Sequence, residues 1–108
     1  MGIGVYDIAE NGYLSYIQTI LSPSTMDNPW NSPDGSIYFA GLYGAWKAFT
    51  GGHPGSEIMK LEPDSYELTQ TYMDNGAQFQ GASIAVFWNE NILVGSPFGN
   101  LMECHKLK

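Results

Sequence analysis

The sequence predicts an all-β fold of short antiparallel strands, and three observations carry that prediction. Thirteen Gly and six Pro break the 108 residues into brief runs rich in Tyr, Ile, Val, Phe and Trp, the punctuation expected of antiparallel sheets. Several runs alternate with period two: Ile37 and Phe39 share one face of their strand, and Ile84, Val86 and Trp88 one face of theirs. No segment of about a dozen residues carries the 3.6-residue repeat of an amphipathic helix.

The elements follow in order from the turn signals. Gly2–Ile8 opens the series and stops short of the hairpin pair Asn11-Gly12, after which Tyr13–Leu21 returns. Ser36–Leu42 leaves the Asp34-Gly35 turn, and Ala45–Phe49 closes at Gly51-Gly52. Glu57–Leu61 runs to Pro63-Asp64, and Tyr66–Met73 stops before Asn75-Gly76. Ser83–Trp88, Asn91–Ser96 and Leu101–Lys106 complete the series. These strands divide into two four-stranded units and one spare, and consecutive up-and-down strands of this kind are what propeller blades are made of. Two blades cannot close a propeller. Bare strand edges and aromatic faces then call for a sandwich, a barrel, or more sheet from another chain or from self-association.

Composition bounds the function. Charged residues are only 14%, with 11 Asp+Glu against four Lys and no Arg, a net charge of -7. Counterion release and bidentate base readout both need basic groups, which argues against nucleic acid as a partner. Anionic membrane surfaces are disfavoured for the same reason. No apolar run approaches the ~20 residues of a membrane-spanning helix. Met1 to Tyr6 read as a strand start and lack the basic and apolar regions of a signal peptide.

The most informative motif is Met26-Asp27-Asn28, leading through Pro29-Trp30 to Ser32-Pro33-Asp34-Gly35. It sets a carboxylate and an amide side by side just before a predicted strand. Two adjacent oxygen donors suit a hard cation such as Ca²⁺, which gathers six to eight oxygens from scattered loops. They suit equally the turn chemistry in which Asp and Asn bond nearby backbone amides. The residues alone leave both readings open. His53 sits in the loop composition Gly51-Gly52-His53-Pro54-Gly55 and reads as solvated. Cys104 is the only cysteine, and with His105 falls far short of the four ligands of a zinc site. There is no Gly-x-Ser-x-Gly elbow and no phosphate loop. Trp30, Trp46, Trp88 and the seven Tyr read as core and inter-sheet contacts.

Several stretches resemble, in order, the serum paraoxonases (arylesterases). They are Val5-Tyr6, Thr25-Met26-Asp27-Asn28, Asp34-Gly35-Ser36-Ile37-Tyr38-Phe39-Ala40-Gly41 and Pro54-Gly55-Ser56-Glu57-Ile58-Met59-Lys60-Leu61. The tail continues the series with Leu68-Thr69-Gln70-Thr71-Tyr72, Asn75-Gly76, Gln80-Gly81-Ala82-Ser83-Ile84-Ala85, Ile92-Leu93-Val94-Gly95-Ser96, Phe98 and Cys104. The likeness covers nearly the whole chain and about the last third of a complete family member. It implies about two four-stranded blades of a six-bladed β-propeller, incomplete here, from a calcium-dependent esterase acting on lactones and aryl esters. It also implies that Asp27 and Asn28 supply two ligands of the catalytic calcium, and that the remaining ligands and a His pair lie in blades outside this chain. Tyr43 stands where many members carry a pocket His, and Ser83, Pro97 and Phe98 fall along the substrate pocket. The family pairs the position of Cys104 with an N-terminal Cys to close the ring; that partner is absent here, leaving a free thiol or an intermolecular bridge. An extracellular or endomembrane location is implied too. The competing expectation is a non-catalytic binding or structural module of the same architecture.

Overall fold

The computed structural model describes residues 1–105, and these form an all-β molecule of three separate antiparallel sheets with no closed barrel. Strands β1 (Gly2–Ile8) and β2 (Leu14–Leu21) make a two-stranded hairpin. Strands β3 (Thr25–Asn31), β4 (Ile37–Tyr43), β5 (Gly55–Leu61) and β6 (Leu68–Asp74) make a four-stranded sheet in sequence order. Strands β7 (Ile84–Trp88), β8 (Asn91–Gly95) and β9 (Leu101–Cys104) make a three-stranded one. Within each sheet every strand pairs with its sequence neighbour, through turns except between β4 and β5, where the connection carries a 3₁₀ helix, so every sheet is a simple meander.

The expected grouping into four, four and one is therefore corrected to two, four and three, for two local reasons. Thr25–Asn31 is a strand, where the sequence had suggested only a turn ahead of one. Its four polar residues and Pro29 hide the pattern, yet β3 lies at the edge of its sheet, where a proline's missing N–H costs no ladder bond. Ala45–Phe49 is no strand: Ala45–Thr50 forms a 3₁₀ helix. Gly44 (φ 65°) and Gly51 (φ 78°) flank it in the left-handed conformation and turn the chain at both ends. Tyr66, expected to start a strand, has φ 58° and belongs to the turn before β6. Of the last expected strand, Lys106 lies outside the described residues.

The core is the space between the four- and three-stranded sheets. Tyr38, Ala40 and Ile58 face Ala85 and Val94 across it, joined by Phe79 and Ala82 from the loop before β7. Phe87 stacks on Trp30 at 6.3 Å and tilts against Tyr38 at 5.2 Å, so one ring grips both β3 and β4. The sheets touch mainly where β7 lies against β3 and β4. Toward their outer strands they leave a wedge-shaped cavity of about 880 Å³, lined by Tyr38, Ile58, Tyr72, Phe87, Ile92 and Cys104 among others. Both faces of β4 and β5 are covered, since Phe39, Met59 and Leu61 are buried as well. The hairpin is the opposite case: Ile8, Tyr13, Leu14, Tyr16 and Leu21 are all largely exposed. Trp46 and Trp88 are also exposed, which corrects their reading as core and inter-sheet contacts.

Candidate metal centre

A bulge shapes the Asp27–Asn28 site. Asp27 pairs with Ala40 and Pro29 with Phe39, so Asn28 is the extra residue on β3. In a regular strand successive side chains point to opposite faces; the bulge re-aims one of them and brings both to the same neighbour. That neighbour is Ser83, which ends the loop ahead of β7. Its hydroxyl donates to Asp27 Oδ2 at 2.9 Å. The Asn28 amide Nδ2 donates to the Ser83 carbonyl oxygen at 2.9 Å and to its Oγ at 3.1 Å. Asp27 Oδ1 accepts the Asn28 backbone N–H at 2.9 Å, the local amide bond that turn chemistry anticipates.

The site lies along the junction of the two sheets, where β3 and β7 are both edge strands. Asp27 and Asn28 are exposed and Ser83 half-buried, so solvent and ions reach them. Their donor chemistry fits a hard cation: each Asp27 oxygen has accepted one hydrogen bond and keeps further lone-pair capacity, and the Asn28 carbonyl oxygen is turned away from Ser83. Two side chains do not fill a calcium shell of six to eight oxygens. Among the described residues no cluster of three or more His, Cys, Asp or Glu stands together. The ion pairs found there, Lys60–Glu62 and Glu103–His105, are elsewhere.

The remaining expected pocket residues are dispersed at the same end of the sheets. Phe98, in the turn between β8 and β9, lays its ring over Gly81, two residues before Ser83, close to Leu42. Pro97 is exposed beside it. Tyr43 ends β4 and lines a separate cleft of about 540 Å³ with Leu42, Trp46, Pro23 and Thr25. Cys104 is a free, half-buried thiol in the wall of the outer wedge, and burial pushes its pKa up.

One functional-looking group escaped the sequence reading. Glu57 is 1% exposed, yet it stands in a buried strand and accepts hydrogen bonds from the Ser24 hydroxyl and the Gln70 amide. The available signal was period two: Glu57 shares its face with Met59 and Leu61.

No protein-family model matches the chain. It is similar to the mechanosensory abnormality protein 6 of Caenorhabditis elegans, 36% identical over 56 residues, which are 48% of this chain and 15% of that protein. It is also similar to the serum paraoxonase/arylesterase 2 of Gallus gallus, 24% identical over 98 residues, 84% of this chain and 28% of that protein. The chain thus spans less than a third of either relative, and its likeness to the paraoxonases is a distant one that runs along most of its length.

Proposed function

We propose that this chain is part of a calcium-dependent β-propeller esterase acting on lactones and aryl esters, to whose metal it contributes Asp27 and Asn28. The observation that carries the reading is the convergence of a carboxylate, an amide and a hydroxyl at the touching edges of two meander sheets. The collinear likeness to a paraoxonase/arylesterase supports it. In this reading the four-stranded sheet is one blade, the three-stranded sheet a blade one strand short, and the hairpin the remnant of a third. The missing strands come from other parts of a longer protein, from another chain, or from self-association. An extracellular or endomembrane setting goes with this reading.

The chain's own part in the chemistry is limited and definite. Asp27 contributes negative charge and Asn28 a neutral oxygen, both on a bulged edge strand of the four-stranded sheet. Bound calcium would supply electrophilic stabilisation of the oxyanion that forms as water attacks an ester carbonyl. Phe98 and Tyr43 supply apolar surface at the same end for the organic part of a substrate.

The test is lactone and aryl-ester hydrolysis by the protein in its native assembly, with and without a calcium chelator. Turnover should vanish with chelation and in Asp27→Asn, because a neutral amide cannot replace the charge that anchors the cation. Chelator-insensitive turnover would refute the reading. A second reading, a non-catalytic module of the same architecture, is favoured by Tyr43, which stands where the resemblance implies a pocket histidine and lines a separate cleft. Calcium binding without turnover on any ester would decide for it.

A further inference from the structure

We infer that Ser83 is a positioning residue for the Asp27–Asn28 pair, holding both side chains from behind so that their remaining oxygens serve one cation on the far side. This rests on the calcium reading above and changes the part assigned to Ser83, from pocket wall to support.

The geometry is specific. A serine hydroxyl has one donor and two acceptor sites. Here the donor goes to Asp27 Oδ2 and one acceptor site takes the Asn28 amide. That amide also donates to the Ser83 carbonyl oxygen. With both bonds from the same nitrogen directed at Ser83, the Asn28 carbonyl oxygen faces away from it. A cation binds amide oxygen and never amide nitrogen, so the cation's place is opposite Ser83.

Ser83 is itself fixed. Its N–H donates to the Gly95 carbonyl oxygen at 2.9 Å. The preceding Ala82 N–H donates at 3.0 Å to Ser56 Oγ, on a fully buried residue of β5. The support therefore belongs to the rigid core, while the residues it supports lie on a bulged edge. Groups that orient metal ligands through hydrogen bonds commonly account for 10- to 100-fold in metal affinity. Without the hydroxyl, the carboxylate and the amide each lose a partner and rotate more freely.

The experiment is isothermal titration with calcium of the protein in its native assembly, as wild type, Ser83→Ala and Ser83→Thr. We expect Ser83→Ala to weaken calcium binding about tenfold or more. Ser83→Thr, which keeps the hydroxyl, should bind nearly as wild type does, and the calcium-free melting temperatures of all three should agree closely. Should Ser83→Ala lose its near-ultraviolet circular dichroism, Ser83→Cys, of similar size but a weak hydrogen bonder, is expected to show the same weakening. Wild-type affinity in the folded alanine or cysteine variant would overturn the role of Ser83 and leave the calcium reading standing. Absence of calcium binding by the wild type would overturn both. A calcium-loaded crystal structure with Ser83 Oγ at the 2.3–2.6 Å of a direct ligand would overturn the positioning role alone.

Discussion

Glu57 ties the entry of β3 to the middle of its sheet. Opposite it on β4 stands Gly41, where any side chain would collide with Ser24 and Met26, and the space so left admits the Ser24 hydroxyl to the Glu57 carboxyl. Ser24 comes three residues before Asp27. Glu57→Ala leaves the buried Ser24 hydroxyl without its acceptor and frees the Gln70 amide to solvent, and we expect it to cost about 1–3 kcal/mol in urea unfolding. Glu57→Gln keeps an acceptor in place and should cost less; equal loss in the two variants would argue against the hydrogen-bonding role. Two other carboxyls govern behaviour in acid. Burial works against ionisation of Asp74, but the backbone N–H groups of Gly76, Gln78 and Phe79 converge on its Oδ2 and hold its pKa below the usual 3.8. The hydroxyl and N–H of Ser36 lower Asp34 to about 2. A carboxyl whose folded pKa is depressed contributes stability above its unfolded value and loses it as pH falls through the folded one. Stability should therefore decline from about pH 4 downward, and Asp74→Asn, followed by tryptophan fluorescence, should show a shallower decline. Asp27 and Asn28 were singled out in the sequence by their donor chemistry, and Ser83 only through the resemblance, as part of a pocket. Their meeting was not legible, because it spans 55 residues of chain and depends on a bulge that no local pattern marks.

Among the elements, eight of the strands overlap runs that hydrophobic alternation and turn residues had marked. The failures show what such patterns miss. Edge strand β3 tolerates polar side chains and a proline that a central strand would not. Ala45–Phe49 carries strand-like residues, but the flanking glycines at 44 and 51 held the better information, since both adopt conformations that end extended chain. Gly51→Ala forces an L residue into the left-handed region, and we expect a loss of about 1–2 kcal/mol by chemical denaturation. The cost should fall on the segment around Trp46 and Phe49 and leave the inter-sheet core intact. A variant as stable as the parent would mean that the 3₁₀ helix has another reason to form.

The whole molecule is a flat body of 44 × 37 × 21 Å with a radius of gyration of 14.8 Å, against the roughly 13 Å of a compact domain of this size. The excess is the fan: sheets that touch along one side, an open wedge at the other, and a hairpin whose apolar side chains lie bare. Strand edges at β9 and along the hairpin are ready to pair with more sheet. Sedimentation velocity of the purified 108-residue chain should therefore show association; a monodisperse particle at 11.9 kDa with a cooperative melt would contradict that expectation.

The order of strands also sets a clock. Within its own sheet β4 has a hydrogen-bonded neighbour on each side, as do β5 and β8, whereas β1 and β2 have only each other. An amide exchanges its hydrogen with solvent when the structure around it opens, and openings near frayed, poorly packed segments are the least costly. In deuterated water the hairpin should exchange first, then the edges at β3 and β9, and the amides of β4 and β5 last. Addition of calcium should slow β3 out of that sequence, protecting the turn of chain around Asn28 while leaving the hairpin as fast as before.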